Sequence, residues 1–332
     1  VAILVLIASF VVAFALCASL IPFFRRAFLV TPGARSSHVE ATPQGGGLVV
    51  IPVAIVLTCA ALTGMAGMRP DPFACSLIAA LLLLMALGGW DDLAALNPGF
   101  RLVVQAGAAA LALAVTPLDF TGPIAFLAPA IVYACLLIGM LWFINLTNFM
   151  DGIDLMSVTQ FVPAFATVYL LLAGLAGAAQ WVGALCLASA GGLLGFALLN
   201  RPRARLFLGD SGSLPLGLLG AIALLVVGNA CGAVVALLPF LYYIADASVT
   251  LARRVLAGEK FWQAHRQHFY QRATRCGLST WQVIARVAAC NILLCALALL
   301  IAGRSLGAQA AALALGVVIV ALLMSDLVRK RS

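Results

Sequence analysis

Apolar runs of roughly 17 to 25 residues, the length that crosses a bilayer core as a helix, recur from one end of the chain to the other. They predict spans at about 1–24, 47–66, 73–90, 100–117, 122–144, 158–175, 179–199, 212–229, 232–251, 281–302 and 306–328, eleven helices in all. Pro163 falls inside the sixth, where its missing N–H interrupts a helical ladder. The polar stretches between the runs are short, so no soluble domain of ordinary size fits among them. The expected fold class is all-α: a polytopic integral membrane helical bundle, one domain over 1–332. Its active-site loops are expected at about 25–47, 88–101, 145–157, 200–212 and 252–280.

Composition agrees with this pattern. Of 332 residues, 64% are hydrophobic and 9% charged, whereas a soluble domain carries roughly 25% charged residues. The first run lacks a small-residue cleavage site and is followed by Arg25 and Arg26, so it reads as a retained span rather than a signal peptide. The nine cysteines contain no CxxC pair and fall mostly in or beside spans, so neither a disulfide framework nor a zinc site is expected.

The distribution of charge sets the expected orientation. Of the 19 Lys and Arg residues, all but Arg69 and Arg304 fall on one side when the spans are laid out alternately. The positive-inside rule then makes the N-terminus periplasmic and the C-terminus cytoplasmic. The net charge of +8 is scattered over these loops, which suits membrane lipids and argues against a nucleic-acid partner. Asp91, Asp92, Asp151, Asp154 and Asp210 lie on the same cytoplasmic side. Carboxylates at a membrane edge point to a functional site.

Five stretches carry candidate chemistry. In LWFINLTNFMDGIDLMS, Asn145, Asn148, Asp151 and Asp154 recur every three residues, which keeps them on one slowly drifting face of a continuing helix. GGWDD places the adjacent carboxylates Asp91 and Asp92 ahead of Arg101 and Gln105, and such a pair needs a cation or a raised pKa. FLGDSGSLPLG puts Asp210 in a glycine-bounded turn before a helix, fit either to cap that helix or to ligate Mg2+. The longest polar segment contains AHRQH, with His265 and His268 at helical spacing among arginines including Arg266, a pattern suited to phosphate. Upstream, RSSH ends at His38, and TPQGGG includes Gly46, whose backbone N–H is a candidate anion donor.

Taken in order, RSSH, TPQGGG, GGWDD, NLTNFMDGIDLMS, FLGDSGSLPLG and AHRQH resemble the polyprenyl-phosphate N-acetylhexosamine-1-phosphate transferases, and the arginine-rich surroundings look closest to the O-antigen-initiating branch. The resemblance implies transfer of a sugar-1-phosphate from a UDP-sugar to undecaprenyl phosphate in the bacterial inner membrane, releasing UMP, with Mg2+ required and Mn2+ able to substitute. It further implies that Asp210 is the chief metal ligand, with Asp151 beside it, and that Asp91 and Asp92 serve the acceptor. Asn148 and Asp151 then serve the nucleotide, and His265 and His268 match the family's histidine motif. Two departures stand out. Ala94 and Ala95 occupy positions where many relatives carry an acid or a lysine, and the histidine motif is reduced to HRQH.

The chemistry itself requires cations, because two anionic substrates must meet before an oxygen can attack phosphorus. Arg101, Arg266 and the histidines can hold phosphate oxygens, and Asn145, Asp154, His38 and Gly46 complete the candidate substrate-binding set. Asp91, Asp92, Asp151, Asp210 and His268 form the candidate catalytic set. Direct attack of the acceptor phosphate is expected, with Asp91 orienting or deprotonating it and a phospho-aspartate route as the alternative. An intramembrane prenyltransferase and a cation-coupled transporter are the competing function classes. The donor stays open between UDP-GlcNAc and a UDP-linked 6-deoxy sugar, and a homodimer is allowed for.

Overall fold

The computed structural model describes residues 1–30, 41–118, 128–259 and 265–329. His38, Lys260 and the first residues of the expected 122–144 span lie outside them. Thirteen α-helices are described: α1 (Ala2–Ala27), α2 (Gly47–Cys59), α3 (Pro72–Leu93), α4 (Pro98–Ala114), α5 (Pro129–Met150), α6 (Met156–Leu172), α7 (Ala178–Asn200), α8 (Asp210–Cys231), α9 (Ala233–Leu237), α10 (Leu241–Leu256), α11 (Phe269–Arg275), α12 (Thr280–Ile301) and α13 (Leu306–Leu327). A π-turn over Ala60–Met65 prolongs α2, and a 3-10 turn over Leu238–Phe240 joins α9 to α10. Strand is confined to a two-residue pair, β1 (Leu29–Val30) with β2 (Thr42–Pro43), among the described residues.

Each expected span coincides with a helix or a helix-turn-helix run. Nine are long and apolar enough to cross a membrane among the described residues, while α4 and α6 are shorter at 17 residues each. The protein is an all-α polytopic membrane bundle. The helix starts follow local chemistry: Asp71 caps α3 and Asn97 caps α4, each followed by proline, and Ser279 with Gln282 forms a capping box on α12.

Pro163 does not break α6. Its ring leaves the carbonyl of Thr159 without a helical donor, and Asn291 of α12 supplies one from Nδ2 at 3.0 Å. A proline is tolerated at bilayer depth because a neighbouring helix restores the lost bond.

Helices α7 and α8 form the centre. The apolar stretch of α7 is 78% buried, against 17% in α13. Exposed Leu315, Val317, Val318 and Leu322 on α13 would be a costly patch in water and are the ordinary face of a helix in lipid.

Candidate active site

The site forms where α2, α3 and α8 meet at one end of the bundle. Phe207 donates its N–H to the carbonyl of Pro43 at 2.8 Å, while Gly46 and Gly47 donate to the carbonyls of Phe207 and Leu208, both at 2.9 Å. The Gly46 N–H is therefore spent inside the fold, which corrects its reading as an anion donor. These glycines serve close packing instead. A Cβ on Gly47 would lie 2.1 Å from the Gly212 nitrogen, and one on Gly88 would lie 2.2 Å from the Asp210 carbonyl oxygen. Three backbones touch here because the positions carry no side chain.

That contact brings the acidic pair to the start of α8. The Asp92 carboxylate accepts the N–H groups of Asp210 and Ser211 at 2.9 and 3.1 Å, capping the helix at its positive end. Asp91 accepts the Leu96 N–H at 2.7 Å and pairs with Arg101. The other arm of Arg101 reaches Asp210 at 2.9 Å. On the far side of Asp210, Asn148 Nδ2 donates to Oδ1 at 2.7 Å and also to Ser213 Oγ at 2.9 Å. Asp91, Arg101, Asp210 and Asn148 thus form one line across α3, α4, α8 and α5.

The four polar residues expected on one face in the 145–157 loop do not share a helical face. Helix α5 ends at Met150, Asp151 follows as its C-terminal cap, and Leu155 adopts a left-handed conformation before α6 begins. Asn145 points its amide at Gln105 on α4, 2.8 Å away. Asp151 accepts from Ser157 Oγ at 2.6 Å. Burial pushes the Asp151 carboxyl up to about 6, reinforced by Asp92 and Asp154 and opposed by the Ser157 hydrogen bond. Asp154 is 4% exposed and faces the N–H of Ala204 at 3.4 Å, which places it where this turn meets the segment before α8. Asn200 works beside it, accepting from Leu155 N and donating to Leu206 O.

The last polar loop folds back over this end. His268 precedes α11, and His265 lies outside any helix, so the expected common helix face is absent. Their rings nevertheless stack at a centroid distance of 4.9 Å, and Tyr270 also stacks with His268, at 5.7 Å. Tyr270 donates its hydroxyl to the Phe149 carbonyl at 3.0 Å and packs on Gly152, tying this loop to the Asp151 turn. Burial, with His268 and Arg254 nearby, lowers His265 to about 4, so the ring is neutral near pH 7. Arg266 is half-buried between the two histidines in sequence.

The sequence reading missed Asp246, Ser213, Asn200 and Tyr270. For Asp246 a signal was present, since an acid within an apolar run of this length marks a site by default.

The signature of glycosyl transferase family 4 matches residues 74–228, a range that contains Asp91, Asp92, Asn148, Asp151 and Asp210. A phospho-N-acetylmuramoyl-pentapeptide-transferase from Lactiplantibacillus plantarum is 30% identical over 301 residues, covering 84% of this chain and 91% of the relative. A protein of the same name from Limosilactobacillus fermentum is 33% identical over 242 residues, 67% and 74% of the two chains. One from a Synechococcus species is 32% identical over 209 residues, 56% and 55%. The chain belongs to the polyprenyl-phosphate N-acetylhexosamine-1-phosphate transferase family. The family signature stops short of α10, which carries Asp246, and of the loop that carries His265 and His268, so the part those residues play in this transferase-family chain rests on their own geometry.

Proposed function

We propose that this chain transfers an N-acetylhexosamine-1-phosphate from a UDP-sugar to undecaprenyl phosphate at the cytoplasmic face of the bacterial inner membrane, starting an O-antigen or another envelope glycan. The observation that carries this reading is Arg101 held between Asp91 and Asp210 at the N-terminus of α8. A planar guanidinium gripped from two sides, with carboxylates that can hand it over, is suited to take phosphate oxygens. Asn148 adds an amide on the opposite flank of Asp210.

In the reaction, an oxygen of the acceptor phosphate attacks the donor β-phosphorus, and the bridging α–β oxygen leaves with UMP. The acceptor is a phosphate monoester with a second pKa of about 6, largely ionised at neutral pH, so little base catalysis is needed. Arg101, already aligned by Asp91, offsets the charge that accumulates on the equatorial oxygens. Asp92 keeps the start of α8 in register, and His268 donates a ring N–H to a phosphate oxygen.

The donor set fits a divalent cation. Asp151 is driven upward by burial and by two neighbouring carboxylates, a surplus of negative charge that a cation relieves. Mg2+ takes only one or two protein carboxylates beside substrate phosphates. Among the described residues no group of three or more His, Cys, Asp or Glu is gathered as a dedicated metal cluster. Asp210 and Asp151 would hold Mg2+, or Mn2+ in its place, which would supply neutralising charge on the diphosphate.

The test is UMP release by detergent-solubilised protein given undecaprenyl phosphate and a donor panel, with Mg2+ or EDTA, beside Asp210→Asn. Release that needs lipid, metal and Asp210 supports the reading. The names of the similar proteins favour a second donor, UDP-N-acetylmuramoyl-pentapeptide. Release with that donor and none with UDP-GlcNAc or a 6-deoxy sugar would replace the O-antigen reading with one in peptidoglycan assembly.

A further inference from the structure

Asp246 lies within α10, fully buried, and the chemistry above makes no use of it. An acid buried within an apolar span is costly unless it is satisfied. Its partners account for it. Oδ1 accepts from the Phe269 N–H at 3.0 Å and from Thr250 Oγ1 at 3.3 Å, and meets His268 Nδ1 at 3.2 Å. Oδ2 accepts from Tyr242 Oη at 3.0 Å and from the Tyr270 N–H at 3.3 Å. A carboxylate has about four acceptor sites and no donor, and this one is saturated. An amide in its place would set an N–H against another N–H.

His268 is 2% exposed, stacked with the rings of His265 and Tyr270 and held at Nδ1 by Asp246. An ionised carboxylate can only accept, so Nδ1 must carry a proton. Nε2 is then the nitrogen left for a ligand, as acceptor in the neutral ring or donor in the cation.

We propose that Asp246 is the positioning residue of this histidine. It docks the segment after residue 264 onto α10 and keeps a proton on Nδ1 of His268, so that Nε2 is the atom left to meet the donor phosphates, which it does as an N–H donor when the ring is the imidazolium. Only the meeting with the donor phosphates rests on the transferase reading.

Two measurements on the full chain test it. The first needs no substrate: 15N-histidine NMR at pH 8.5, with His268 assigned by its loss in His268→Gln. A proton on Nδ1 supports the proposal, and a ring protonated at Nε2 alone overturns it, with no need for Asp246→Asn to fold. Asp246→Asn is expected to release the ring to the other tautomer, and an unchanged pattern in that variant also overturns it. The second is kinetic. Asp246→Asn is expected to lower kcat by about 100-fold, the worth of one hydrogen bond to a charged group, with the donor KM within about threefold, yet to cost less than about threefold further in a His268→Gln background. Equal losses in both backgrounds would mean that Asp246 merely holds the loop. Inactivity of the wild-type chain with every donor would sink the transferase reading and leave the tautomer result standing.

Discussion

Asp92 closes the N-terminus of α8 by accepting the backbone N–H of Asp210 at 2.9 Å, so the second acid of one motif sets the backbone from which the acid of another projects. The two aspartates divide the work. Asp92 has its oxygens on N–H groups of Asp210 and Ser211, while Asp210 keeps its side chain for Arg101 and Asn148.

Asp92→Ala should therefore lower stability as well as activity. Losing a charged cap costs about 1–2 kcal/mol, and thermal unfolding in detergent should show a drop of a few degrees. Asp91→Ala removes an ion pair and one bond to the Leu96 N–H rather than the two N–H bonds that cap a helix, so its thermal shift should be smaller. Equal shifts would contradict this division.

Gly88→Ala should destabilise the protein by about 1–3 kcal/mol, because its Cβ would sit 2.2 Å from the Asp210 carbonyl oxygen. The neighbour is backbone and cannot rotate away. Gly107, whose Cβ would meet nothing within 4 Å, provides the control: Gly107→Ala should be neutral or mildly stabilising by unfolding midpoint.

Arg101→Lys should lower kcat/KM by roughly 10- to 100-fold, the worth of one charge-assisted hydrogen bond. A lysine carries the same charge on one nitrogen and cannot bridge Asp91 and Asp210 as the two guanidinium arms do. Steady-state UMP release checks this, and a lysine variant within threefold of wild type would show that charge alone suffices.

Much of this was legible in the sequence, for physical reasons that also mark the boundary. Long apolar runs with Asp71, Asn97 and Ser279 at their starts are local signals, and the helices begin there. The acids were legible as a set because charge near lipid is costly. What escaped was everything decided by a partner distant in sequence. The period-three row from Asn145 to Asp154 reads as one face only while the helix continues, and α5 stops at Met150. The Gly46 N–H reads as free only until Phe207 is brought beside it. Asp246 looks like an isolated acid in a span because His268, Phe269 and Tyr270 lie 22 to 24 residues downstream.

His265 gives a pH dependence whose sign follows from its environment. The folded protein holds the imidazole near 4, chiefly by burial, whereas an unfolded histidine titrates near 6.5. Between those values the unfolded chain binds more protons, so this residue makes stability rise with pH from about 4 to 6.5 and contributes no slope above. The ring is partly exposed and Glu259 partly offsets the effect, so screening reduces the full shift to about 1–2 kcal/mol. His265→Gln removes the titration. The midpoint difference between variant and wild type, measured in EDTA, should therefore favour the variant by several degrees more at pH 4.5 than at pH 7.5. A difference independent of pH would show that His265 titrates alike in the folded and unfolded chains.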